Sequence, residues 1–375
     1  MRRLLLTYAL ICVAIFALGT APVNPKPHEF WKDPCIGCSD AVRFSLAMWG
    51  PQQQERWIKD VLPAVVSLTA PSQHSSEYVK LAQVPMTGAG LGKPASAPSY
   101  TGPGDVVSGA VAFWSCTFAY NNACAASGGN MCLLVDAATG LTSYTLTALS
   151  TGKANFAGAA ASSACAVACV VKVVYDQVNS NHVCGGNAAG NVCPGGSFTL
   201  AGMPAYTFNS IGTLATMTAA GGSAVEIRGT WASGAEVQPI AITIEAQLAS
   251  TAAASGYFGW ESTGGQIFAT PAGGGIYQLN AGLGLNSSVN IDTSLHAIQA
   301  VANGVSSSLT IDTSTASGNA GTRGFAIGES IDLMIQYTGG NTMNGALGEV
   351  AVYPSGVTYG STQISAMYTN MSGRY

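Results

Sequence analysis

The chain has 375 residues, a formal net charge of −4 and only 9% charged residues, against roughly a quarter in an ordinary soluble domain. Residues 94–375 hold five Lys/Arg and twelve Asp/Glu, whereas 1–93 hold nine and six. A long acidic block with scattered cations has no basic face, which excludes nucleic acid as a partner.

Met1-Arg2-Arg3 precedes LLLTYALICVAIFALG, an apolar run of sixteen residues followed by Gly19, Ala21 and Pro22. This is the pattern of a secretory signal cleaved after Ala21. The rival reading is an uncleaved membrane anchor over 4–21, but sixteen residues fall short of the roughly 20 that span a bilayer. The chain is therefore expected to be secreted or held at the cell surface.

Residues 22–105 read as a Pro/Gly-rich extension and linker. Trp57, Ile58, Val61 and Leu62 predict one short helix, which Pro63 ends. This extension is the candidate contact for a protein partner. Trp31, Trp49 and Trp57 either form an aromatic surface or pack that helix onto the main domain.

Residues 106–375 are short apolar runs cut by Gly, Asn and Ser, the pattern of an all-β sandwich. Strands are expected in VVSGAVAFWSCTFAY, LLVDAATGLTSYTLT, IAITIEAQLA, GYFGWES, GQIFAT, GIYQLNAGLG, LHAIQAVANG, VSSSLTIDTS, SIDLMIQYTG and GALGEVAVYPS. Asn303-Gly304 between two of them predicts a hairpin. STQISAMYTNMSGRY places Ile364, Met367 and Tyr368 at helical spacing and predicts a closing helix.

Export makes the cysteines legible as disulfides. Without Cys12, nine remain, and chain neighbours suggest Cys35–Cys38, Cys124–Cys132, Cys165–Cys169 and Cys184–Cys193, leaving Cys116 over. Spacing leaves the connectivity open. A single CxxC near His28 is a weak zinc signal, so no metal and no cofactor are expected.

Several of these features, in order, resemble the catalytic domain of α-L-arabinofuranosidase B, a concanavalin A/LamG-like jelly-roll, over about residues 116–375. They are Cys124-x7-Cys132 before LLVDAATG, Cys165-x3-Cys169 before VVKVVYDQ, PAYTFN at 204–209, and GGNTMNGALGEVAVY at 339–353. Tyr175, Asp176 and Gln177, with Asn181 and His182, form the motif at the strand end. Asp176 either binds a cation or sugar or accepts backbone N–H bonds in the turn, and the second reading is favoured. His182 is read as a structural hydrogen-bonder.

The resemblance implies a retaining glycosidase, which needs two carboxyl groups roughly 5–5.5 Å apart. Where the family has its acid/base Asp, after Gly339-Gly340, this chain has Asn341. A carboxamide has no proton to give near neutral pH. The nucleophile is expected at about Ile276–Asn290, a stretch with neither Asp nor Glu. Glu261, and behind it Asp292, are the substitute candidates. Tyr257, Trp260, Gly340 and Asn341 are the expected ligand contacts, and Glu349 is expected on a solvent face. His296 and Asp312 show no constellation.

Three functions follow. The favoured one is a catalytically degenerate glycan-binding or surface-structural module, with an arabinose-containing or other glycan as partner. The alternatives are an active α-L-arabinofuranosidase removing terminal arabinofuranose, and an interaction protein of a surface or particle assembly.

Overall fold

The computed structural model describes residues 100–186, 193, 199–220, 225, 227–260, 265–271, 275–335 and 342–375. The expectations for the signal segment, the 52–68 helix, the three N-terminal tryptophans and Cys35–Cys38 lie outside these residues.

The described fold is an antiparallel jelly-roll sandwich of two layers. One layer runs β16 (Ser314–Gly318), β15 (Ser307–Ile311), β14 (Leu295–Ala302), β9 (Ile240–Leu248), β18 (Gly345–Tyr353) and β1 (Ala112–Ser115). The other runs β3 (Ser143–Thr147), β2 (Asn130–Asp136), β4 (Cys169–Val174), β5 (Val183–Gly185), β8 (Ile227–Thr230), β17 (Ser330–Leu333), β10 (Ser255–Trp260), β11 (Gly265–Thr270), β12 (Ile276–Ala281) and β13 (Gly284–Asn290). The hairpin of β6 (Ala205–Ile211) and β7 (Leu214–Ala219) joins the layers, pairing with β4 on one side and β18 on the other.

Alternation decides what each strand gives to the core. In β18, Val350 and Val352 point between the layers with Ile242 and Ile244 of β9 and Trp114 of β1. Glu349, Ala351 and Tyr353 point to the opposite face, as period-2 geometry requires. That face is not open to solvent. The helix α4 (Ser361–Arg374), after α1 (Pro103–Val106), α2 (Asn122–Ser127) and α3 (Phe156–Ala161), lays Met367 and Met371 across Phe113, Ala351 and Tyr353. Glu349, expected at a solvent face, is therefore only 1% exposed. Arg374, in the last turn of α4, meets it with both terminal guanidinium nitrogens, at 2.7 and 2.5 Å.

Asn303-Gly304 does connect an antiparallel pair, β14 and β15, but through a 3-10 turn at Gly304–Ser306 rather than a two-residue turn. Gly304 takes φ 55° there. The opening apolar run yields only the four residues of β1. The sandwich unit also reaches back beyond the expected boundary at 105/106, since Tyr100 donates its hydroxyl to the Ala119 carbonyl and Gly104 N–H donates to Tyr120.

Cys165–Cys169 and Cys184–Cys193 are disulfides in the structure, but Cys132 is bonded to Cys116 and not to Cys124. The reason is topological: Cys116, just past β1, and Cys132, in β2, are both fully buried with Cα atoms 5.6 Å apart. Cys124 lies in α2 at the rim and is a free thiol.

Candidate functional site

The Tyr175–His182 corner is built where β4 ends and the chain turns into β5. Val170, Val171, Val173 and Val174 carry β4 through the interior, so the polar residues that follow arrive at a fixed place. Asp176 Oδ1 accepts the N–H groups of Phe113 and Val178. Its Oδ2 accepts the backbone and side-chain N–H groups of Asn181. Asn181, fully buried, also donates to Val111 O and Ser233 Oγ and accepts from the N–H groups of Ala232 and Ser233. Gln177 accepts from Tyr120 N–H and donates to Ser115 O and Phe118 O. These side chains replace backbone pairing where four chain segments meet, and each buried polar group is satisfied as burial demands.

His182 is tied to the centre of this hub. Its Nδ1 accepts the Asp176 N–H at 3.0 Å, which requires a lone pair on Nδ1 and puts the ring proton on Nε2. The ring meets Tyr175 edge-on, centroids 5.4 Å apart. Beside the pair lies a hollow of about 450 Å³, lined also by Cys124, Ser127, Asn130 and Gln177. Burial raises the Cys124 thiol pKa, so the sulfur there is protonated and unactivated.

The expected sugar-contacting aromatics are elsewhere and are closed off. Tyr257 and Trp260 are 1% and 0% exposed. Tyr257 stacks on Tyr277, and Trp260 stacks on Phe325 at 5.3 Å. Rings of this size fill the space between the two layers, so they are core residues and offer no face to a ligand. Glu261, Gly340 and Asn341 lie outside the described residues.

Asp292 is engaged, but with a histidine. Its Oδ1 lies 2.9 Å from His296 Nε2, while Asp312 Oδ2 lies 2.7 Å from His296 Nδ1. Burial alone would lower the His296 pKa; the bonds to Asp312 and Asp292 outweigh it and raise it. Sequence reasoning missed this cluster. Its only signal was the four-residue step from Asp292 to His296, and Asp312 joins because the β15–β16 turn folds back beside β14.

A second acidic cluster sits under α4. Glu245 and Glu349 are register partners on β9 and β18, and both are 1% exposed. Arg374 neutralises Glu349, and its guanidinium lies over the Phe118 ring at 4.9 Å. Glu245 Oε2 has no hydrogen-bond partner. Burial first, and the neighbouring Glu349 charge second, push the Glu245 carboxyl up to about 8. A third buried acid, Asp332, pairs with Arg228 at 3.1 Å across β8 and β17. Among the described residues no group of His, Cys, Asp and Glu could hold a metal ion, and no helix is long and apolar enough to cross a membrane.

Layer order, the joining hairpin and the helix-covered outer face define a jelly-roll sandwich. Solved structures share it. A GH54 α-L-arabinofuranosidase soaked with a cyclic sulfate inhibitor superposes with TM-score 0.52 at 15% identity, over 73% of this chain and 65% of that one. An arabinofuranosidase complexed with arabinofuranosyl-α-1,2-xylobiose gives TM-score 0.51 at 16% identity with the same coverage. This chain thus spans just under two thirds of the length of those structures, and at such identity the likeness is one of fold. No family model matches the sequence, and no curated protein does.

Proposed function

We propose that this chain is an exported glycan-binding protein whose GH54-like sandwich has lost hydrolytic chemistry. The observation that carries the reading is Asn341 following Gly339-Gly340, a carboxamide where the arabinofuranosidase pattern needs a proton donor. The fates of four described acids support it. Asp292 is held by His296, Glu349 by Arg374, Asp332 by Arg228 and Asp176 by four N–H groups. A carboxylate committed to a structural partner is not poised to attack an anomeric carbon. Three disulfides support an oxidising compartment.

The test is a pair of measurements on the purified full chain. Arabinan and arabinoxylan fragments on a glycan array should be retained, while 4-nitrophenyl α-L-arabinofuranoside should be left intact. Release of nitrophenol that disappears in Glu261→Gln would overturn the loss of chemistry. An array without any retained glycan would overturn the binding role.

A further inference from the structure

We infer that the hollow beside Tyr175 and His182 is a binding site for a neutral, polyhydroxylated ligand of about monosaccharide to disaccharide size. The inference rests on the glycan-binding reading and says where on the chain binding takes place.

Its first support is a set of unused polar groups on the residues that line it. The Tyr175 hydroxyl, the His182 Nε2–H and the Asn130 side-chain amide all belong to residues lining the hollow. Among the described residues none of the three groups has a hydrogen-bond partner, although the other His182 nitrogen is bonded at 3.0 Å. Together they supply an acceptor–donor hydroxyl, a fixed donor and an amide that does both, which is what a vicinal diol needs.

The second is shape. The Tyr175 and His182 rings, set edge to face, make an aromatic wall for the C–H surface of a sugar. The volume of about 450 Å³ falls in the range of roughly 300–1,000 Å³ found for small-molecule sites.

Third is charge. Among the described residues the hollow is lined by no Lys or Arg, so they offer an anion no counter-charge. Its one carboxylate, Asp176, already accepts four N–H bonds, so a cation would have to compete with the fold. A neutral ligand is what remains.

Finally, the same Asp176–Asn181 network that saturates the carboxylate fixes the wall, so little is lost in ordering it on binding.

Arabinotriose and methyl α-L-arabinofuranoside are titrated into the full chain by calorimetry and ligand-observed NMR. Asn130→Trp fills the hollow from an exposed position, and Tyr175→Ala removes the wall. Each should weaken arabinotriose binding at least tenfold with the thermal midpoint of Asn130→Trp unchanged. Bound arabinotriose should also slow iodoacetamide alkylation of Cys124, followed by peptide mass spectrometry, which keeps the test decisive if Tyr175→Ala fails to fold. Undiminished binding by Asn130→Trp with unprotected Cys124 would overturn this site while leaving the glycan-binding role standing. Failure of the wild-type chain to bind either probe, or any glycan on the array, would overturn both.

Discussion

Asp176 and Asn181 contribute far more than their two positions suggest. Removing the Asp176 carboxylate leaves the backbone N–H groups of Phe113, Val178 and Asn181 without their acceptor. A buried donor left unmet costs about 1–3 kcal/mol. Asp176→Ala is therefore expected to destabilise the chain by at least about 3 kcal/mol, read as a fall in the urea midpoint. His182→Gln deletes one bond and should cost about 1 kcal/mol. Equal costs for the two variants would show that the hub is not cooperative. The favoured reading of Asp176 from sequence, a turn acceptor, rested on its place at a strand end. Its reach to β1 could not be read there, because Phe113 is 63 residues away.

At the scale of the element, α4 acts as a cover whose last turn carries the charge that balances Glu349. Arg374→Ala would leave a buried carboxylate unpaired, at a cost of about 3–5 kcal/mol. The double variant Arg374→Met with Glu349→Leu should recover most of that loss, and denaturation of the three proteins side by side checks it. The β1–β2 junction gives a second test. Non-reducing peptide mapping should find Cys116 joined to Cys132. Cys124→Ser should leave that bond and the stability unchanged, whereas Cys116→Ser should cost about 3 kcal/mol for the loop it closes. Helix α4 was legible from Met367 and its neighbours. The chain could not say that the helix would cover Glu349, since alternation assigns a residue to a face and not that face to solvent.

For the molecule as a whole, two buried groups make stability fall as pH rises. Glu245 in the folded chain titrates at about 8, against about 4.3 when unfolded. Between those values the folded state keeps a proton that the unfolded state has released, so stability is full below about pH 4 and declines until about pH 8. His296, raised above its ordinary value by its two aspartates despite burial, adds stability below about pH 6.5 that is lost as pH climbs through its folded pKa. The thermal midpoint should accordingly drop by several degrees from pH 5 to pH 8. Glu245→Gln should flatten most of that slope, and a slope unchanged in this variant would remove Glu245 as its source.

By itself the sequence determined the β class, most of the strands and the closing helix. Each of these depends on periodicity, composition or a local motif, and such signals survive in one dimension. Only the tertiary structure decided that Cys132 joins Cys116, that Tyr257 and Trp260 are core, and that Asp292 belongs to His296 and Asp312. It also decided that the outer face bearing Glu245 and Glu349 is closed. In a sandwich most contacts join residues far apart in the chain, so partner choice is fixed by which strands become neighbours and which face a helix covers. No spacing rule encodes that choice.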